Sequence, residues 1–146
     1  MPAPLVVSHL IVHVADTDAT LDFWCKGLGA ELESDEELEA PALDAMFGRP
    51  GVRIRDTFVR AGSVRLHTIE TLDVSRAAAA PPEGYPVGLG GLSFRVADLD
   101  AAHARASAEG REPTPIFAFD DIATPVRMFF LTDPNGIRVE MMEGDA

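Results

Sequence analysis

The stretch "SHLIVHVADTDAT" (residues 8–20) returns later in the chain as "GGLSFRVADLDAA" (residues 90–102), with identity at Leu10/Leu92, Val14/Val96, Ala15/Ala97, Asp16/Asp98, Asp18/Asp100 and Ala19/Ala101. A second pair keeps the same order: "GSVRLHTIE" (62–70) matches "NGIRVEMME" (135–143), setting Arg65 over Arg138, His67 over Glu140 and Glu70 over Glu143. Repetition of this kind means one supersecondary unit used twice. It divides the 146 residues into a first module near 5–70 and a second near 89–143, within one domain. The segment between them, "TLDVSRAAAAPPEGYPVG" (71–88), is rich in alanine and proline, lacks a strand period and reads as an irregular linker.

Each module carries the same order of local signals. "LIVHV" is β-branched and strand-like. "DTDATLDFWCKGLG" then opens on capping residues, places Leu21, Trp24 and Leu28 at helical spacing and closes on Gly29. Farther on, "VRIRDTFVRAGSVRLHTIE" alternates about a turn at Ala61-Gly62, which predicts a hairpin. The second module repeats this with the strand "LSFRV", the helix "LDAAHARASAEG" and a hairpin in "VRMFFLTDPNGIRVEMME" that turns at "DPNG". The pattern predicts an α+β chain of two tandem βαβββ modules. Phe23 and Trp24 are expected to anchor the first helix to its sheet.

Charge narrows the partners. A net charge of −12 argues against nucleic acid, whose phosphates demand a basic face, and equally against anionic membranes. No apolar run is long enough to span a bilayer, and "MPAPLVV" has no charged start, so a cytoplasmic protein is expected. The lone Cys25 cannot pair within the chain and is read as a small core thiol. The charge is uneven: six carboxylates fall between Glu31 and Glu39, read as a solvated loop, and five of the twelve Lys and Arg residues fall between Arg49 and Arg65.

Alternation decides which side chains share a sheet face. His9, Ile11 and His13 look one way from the first strand, while Leu10, Val12 and Val14 form the apolar face expected to pack under the helix. Arg65, His67 and Ile69 share a face of the hairpin's second strand. The equivalents in the second module are Gly91, Ser93 and Arg95 on one strand and Arg138, Glu140 and Met142 on the other. His13 is four strand residues from His9, about 13 Å away, too far to share a metal ion with it. His103 falls on the polar side of its helix and is expected to be solvated.

The paired modules, the "HLIVHVAD" opening, the "FWCKGLG" that follows and the "DPNGIRVE" close resemble the vicinal oxygen chelate superfamily. That group includes glyoxalase I, methylmalonyl-CoA epimerase, extradiol dioxygenases and bleomycin-resistance proteins. The resemblance implies a curved, partly open mixed sheet around a cavity with helices outside, and a homodimer. It also implies metal ligands on the first and last strands of each module, which here are His9, His67, Gly91 and Glu140. Three of these can ligate. Two imidazoles and a carboxylate suit one divalent ion of Fe, Mn, Co, Ni or Zn, with the Gly91 position left to solvent or substrate oxygens.

These expectations converge on a metal-dependent enzyme acting on a small oxygenated substrate. A proton would be lost next to a carbonyl and the resulting enediolate stabilised by the metal, as in an epimerase, isomerase or lyase. Glu140 is the natural base as well as ligand, with Glu70, Glu143, Asp120 and Asp121 as unranked alternatives. His13, Arg65, Arg95 and Arg138 are candidate substrate-binding residues; the arginines would hold an anionic or carbonyl group, or else pair with nearby carboxylates. A ring-cleaving dioxygenase using non-haem Fe(II) is an alternative, since two histidines and a carboxylate also make its facial triad. A metal-free antibiotic-binding protein is another, and the acidic chain suits a cationic drug.

Overall fold

The computed structural model describes residues 1, 3–77, 84, 87–121 and 123–145. The chain divides into two compact units, Met1–Ala78 and Ala79–Ala146. Both follow the βαβββ order, so the architecture is α+β with tandem modules, each supplying its own four-stranded mixed sheet. Of the segment 71–88 read as a linker, residues 78–83, 85 and 86 lie outside the described residues.

In the first unit the sheet order is β1-β4-β3-β2, built from β1 (Leu10–Val14), β2 (Glu31–Glu39), β3 (Arg53–Ala61) and β4 (Val64–Thr71). β1 runs parallel to β4, and the other neighbours are antiparallel. Helix α1 (Thr17–Leu21) starts at Asp16, whose carboxylate accepts from the Ala19 N–H at 2.9 Å, and continues into a π-helical turn over Asp22–Gly27. That turn ends at Gly29, whose φ of +74° favours glycine. It leaves the adjacent Phe23 and Trp24 4% and 1% exposed, packed edge to face, so both anchor this segment as expected. Burial of each contributes roughly 1.5–3 kcal/mol. Opposite them the sheet's covered face presents Val14, Val59 and Leu66, with Thr57 and Thr68 hydrogen-bonded to each other between the strands.

The acidic run is not a loop. Residues 31–39 form strand β2, the sheet edge, in antiparallel register with β3: Glu31 opposes Arg60, Glu37 opposes Arg55 and Glu39 opposes Arg53. Having almost no apolar position to alternate, the segment gives no strand signal of its own; its partner strand supplies the cations that make it one. Arg55 binds Asp35 through two hydrogen bonds of 2.8 Å, which hold the Asp35 carboxyl below the usual range. Glu33 accepts from both Arg65 and Arg60 and is lowered likewise. A second unanticipated element, α2 (Pro41–Phe47), begins on a proline and ends at Gly48 in the left-handed conformation. Its Leu43 and Phe47 pack on Val52, Ile54 and Ile69, closing one end of the sheet face turned away from α1.

The second unit has the order β5-β8-β7-β6, with β5 (Leu92–Val96), β6 (Phe117–Phe119), β7 (Val126–Thr132) and β8 (Arg138–Glu143). Helix α3 (Leu99–Ala108) is capped by Asp98, which accepts from Ala101 N–H at 2.8 Å, as Asp16 does in the first unit. Leu99, Phe129, Leu131 and Val139 form its core. The β7–β8 turn is held by buried Asp133, whose Oδ1 accepts from the N–H groups of Asn135 and Ile137. His103 is not solvated: its Nε2 lies 2.8 Å from the Thr114 carbonyl and its ring packs edge-on against Phe129. The loop that follows α3 brings that acceptor, which the helical period alone does not reveal.

Candidate functional site

In the first unit, the face turned away from α1 brings His9 and His67 together. Parallel pairing of β1 with β4 sets Ile11 beside His67 and leaves the His9 ring 5.2 Å from that of His67 between centroids, nearly perpendicular. Phe58, directly opposite His67 on β3, stacks on it at 4.3 Å and meets His9 edge-on at 5.3 Å. Asp56 lies two residues along β3 on the same face and is hydrogen-bonded to His67 Nε2. An ionised carboxylate can only accept, so Nε2 is the donor in this bond. The ring's Nδ1 is buried without a hydrogen-bond partner. His9 Nδ1 is 2.9 Å from Ser8 Oγ.

Arg65 lies 4.4 Å above the Phe58 ring and donates to Glu33 at 2.6 Å, so the carboxylate pairing is the one realised. His13 sits apart from the pair, at the α2 end, with its ring 6.1 Å from that of Phe47.

The second unit carries the matching face. Gly91, Ser93, Phe130, Arg138 and Glu140, with Gly90 and Leu92, line an open cavity of about 310 Å³. Phe130 opposes Glu140 on β7 as Phe58 opposes His67 on β3, and Arg138 stands 5.0 Å over its ring as Arg65 does over Phe58. The repeat thus preserves an arginine-on-phenylalanine pair and varies the residue beside it, histidine in one unit and glutamate in the other. Arg95, on β5, is exposed and lies outside the residues that line the cavity.

Two of the alternative bases belong to the scaffold. Glu70 accepts from the Thr17 N–H at 2.9 Å, capping α1. Glu143 binds Arg127, which also grips Asp100 on α3. Asp120 and Asp121 are exposed beyond β6. Sequence reasoning missed Asp56, Phe58, Ser93 as a cavity wall, and Phe130. The signal for the first two was available: a turn at Ala61-Gly62 fixes Phe58 opposite His67, and alternation then places Asp56 on the same face.

The chain matches the family described as the Glyoxalase/Bleomycin resistance protein/Dioxygenase superfamily over residues 6–141, and it belongs to that family. Among solved structures it is similar to a glyoxalase family protein from Enterococcus faecalis, 24% identical, with a TM-score of 0.68 over 94% of this chain and 97% of that one. A glyoxalase family protein from Bacillus cereus is 16% identical with a TM-score of 0.74, covering 97% and 95%. The fosfomycin resistance protein FosX from Listeria monocytogenes is 16% identical with a TM-score of 0.64, covering 98% and 96%. Identity this low carries the fold alone. No curated protein matches the sequence significantly, and among the described residues no helix is long and apolar enough to cross a membrane.

Donor chemistry on the first unit's face suits a divalent transition ion: two imidazoles on neighbouring strands, one of them tethered through a ring nitrogen to a carboxylate with its other nitrogen buried without a hydrogen-bond partner. Among the described residues no cluster of three or more His, Cys, Asp or Glu side chains stands ready to hold a metal. The histidine pair is what one unit supplies by itself.

Proposed function

We propose that the protein is a metal-dependent enzyme acting on a small oxygenated substrate, removing a proton next to a carbonyl in an epimerase, isomerase or lyase reaction. His9, His67 and Glu140 are the proposed donors to one divalent ion of the Fe, Mn, Co, Ni or Zn type. The observation that carries this reading is the adjacency of His9 and His67, with Nε2 of the second hydrogen-bonded to Asp56 and its Nδ1 buried without a hydrogen-bond partner. Glu140 is included because the repeat gives it, in the second unit, the strand position that His67 holds in the first. The ion's contribution when bound would be Lewis acidity, offsetting charge on a substrate oxygen as the proton leaves.

The chain's own groups supply the rest. Glu140 faces the cavity and is the proposed proton acceptor. Ser93 and Arg138 line the same space and would orient an oxygen or carboxylate of the substrate. Gly90, with open space where a Cβ would stand, leaves room for it.

The test is elemental analysis of the purified protein at known concentration, with His9→Ala, His67→Ala and Glu140→Ala alongside. We expect one divalent ion per chain in the wild type and at least a tenfold loss of metal affinity in each variant. Solvent deuterium should appear at the carbon next to the carbonyl of small hydroxy-carbonyl compounds, and a chelator should abolish it. If no ion binds even in excess, the reading fails. The stacked His67–Phe58 pair with His9 then describes an aromatic wall of a metal-free binding protein.

A further inference from the structure

We propose that Asp56 is a positioning residue that commits His67 to presenting Nδ1, not Nε2, as its lone-pair donor to the divalent ion. This rests on the metal reading above and extends it to a residue outside the proposed ligand set.

Asp56 and His67 form a hydrogen-bonded pair through Asp56 Oδ1 and His67 Nε2, and the two side chains are only 15% and 17% exposed. A half-buried neutral imidazole has one protonated and one unprotonated nitrogen, and whichever nitrogen faces a carboxylate keeps the proton. Asp56 is held in place by the strand register rather than by chance: β3 and β4 are paired without a break from Ala61/Val64 to Ile54/Thr71, and Asp56 opposes Ile69, two residues from His67. Phe58 stacks on the His67 ring almost parallel, at 6°, and fixes the plane in which it lies. The result is an imidazole fixed in plane by a phenyl ring and in tautomer by a carboxylate, with one buried nitrogen left unsatisfied. Leaving such an atom without a partner costs stability, and a cation at Nδ1 would satisfy it. His9 is hydrogen-bonded through Nδ1 to Ser8 Oγ, a hydroxyl that can donate or accept and so imposes no tautomer of the kind Asp56 imposes on His67.

The experiment combines nitrogen-15 NMR of the metal-free protein with Co²⁺ titration, by calorimetry and visible absorption, at 0.15 M salt. His67 signals are assigned by their loss in His67→Ala. Wild type should show the Nε2–H tautomer at His67. Asp56→Ala should mix the tautomers and weaken Co²⁺ binding by about 10- to 100-fold, and Asp56→Asn, which retains an acceptor of the same shape, should lose less. A wild-type His67 in the Nδ1–H form would overturn the proposal whether or not any variant folds. So would an Asp56→Ala protein that binds Co²⁺ as tightly as wild type. Loss of binding equal to that of His67→Ala, with the tautomer unchanged, would make Asp56 a ligand and also overturn it. In those three outcomes, wild-type binding leaves the metal reading standing; absence of Co²⁺ binding to wild type removes both.

Discussion

Gly91 marks the point where the repeat breaks, and the structure gives a steric reason for the break. The residue sits at φ +155°, and a Cβ built on it would collide with the carbonyl oxygen of Arg138 on the neighbouring strand and lie 3.1 Å from that residue's Cβ. Any side chain would push β5 off β8. The histidine of the first module is therefore not merely missing from the second; the backbone leaves no space for its return. Gly91→Ala is expected to destabilise the protein by about 1–3 kcal/mol, read as a shift in the denaturant midpoint. Gly91→His should do at least as much without adding a fourth metal donor. Gly90→Ala, at a position with no atom within 4 Å of a new Cβ, is the matched control and should be close to neutral. Equal tolerance at both positions would refute the steric account. The identities in the repeat have a different physical origin: Asp16 and Asp98 cap helices, and Asp18 and Asp100 receive Arg55 and Arg127. These repeated aspartates are scaffold, whereas the proposed metal donors differ between the units.

Most strands and helices could be read from alternation, capping residues and turn residues, because each such signal is local. "LIVHV", "LSFRV", both hairpins and α3 fall where those signals put them. β2 could not be read that way, since its strand state is imposed from across the sheet by Arg53, Arg55 and Arg60. In α2 the proline at its start and Gly48 at its end were both visible, but seven residues carry too little periodicity to be persuasive. Of the proposed site, His9, His67 and Glu140 fall on the strand positions that the family resemblance assigns to ligands, whereas Asp56 emerges only once the hairpin register is known. The imposed strand has a pH signature. Arg55 keeps the Asp35 carboxyl below its ordinary value near 3.9, so the native state favours the ionised form. That contribution is complete above the unfolded value and is lost as pH falls through the lower native one. Thermal unfolding of wild type and Asp35→Asn should therefore differ by a constant gap from pH 7 to about 4, and the gap should close below that. A gap that persisted to pH 2.5 would contradict the pairing. Arg55→Leu, which keeps the apolar stem, should cost about 1 kcal/mol at pH 7.

Over the whole molecule the net charge of −12 sets a background against which any bound cation must be judged. Such a chain gathers divalent ions diffusely, and stabilisation by that route fades as salt screens it over a Debye length of about 8 Å at 0.15 M. A ligated ion behaves otherwise, because its hold comes from imidazole and carboxylate lone pairs rather than from the summed field. The two can be separated by linkage. An ion that binds only the folded chain stabilises it by about 2.7 kcal/mol when free at 100 times its dissociation constant. We expect Zn²⁺ or Co²⁺ to raise the thermal midpoint by a corresponding amount at 0.15 M salt, and Mg²⁺, a harder ion that prefers oxygen ligands, to leave it nearly unchanged. The increment should vanish in His67→Ala and survive in Asp35→Asn, which lowers the acidity of the edge strand without touching the histidine face. If Mg²⁺ stabilised as much as Zn²⁺, or if Asp35→Asn abolished the effect as fully as His67→Ala, the ions would be answering the charge of the chain rather than its histidines.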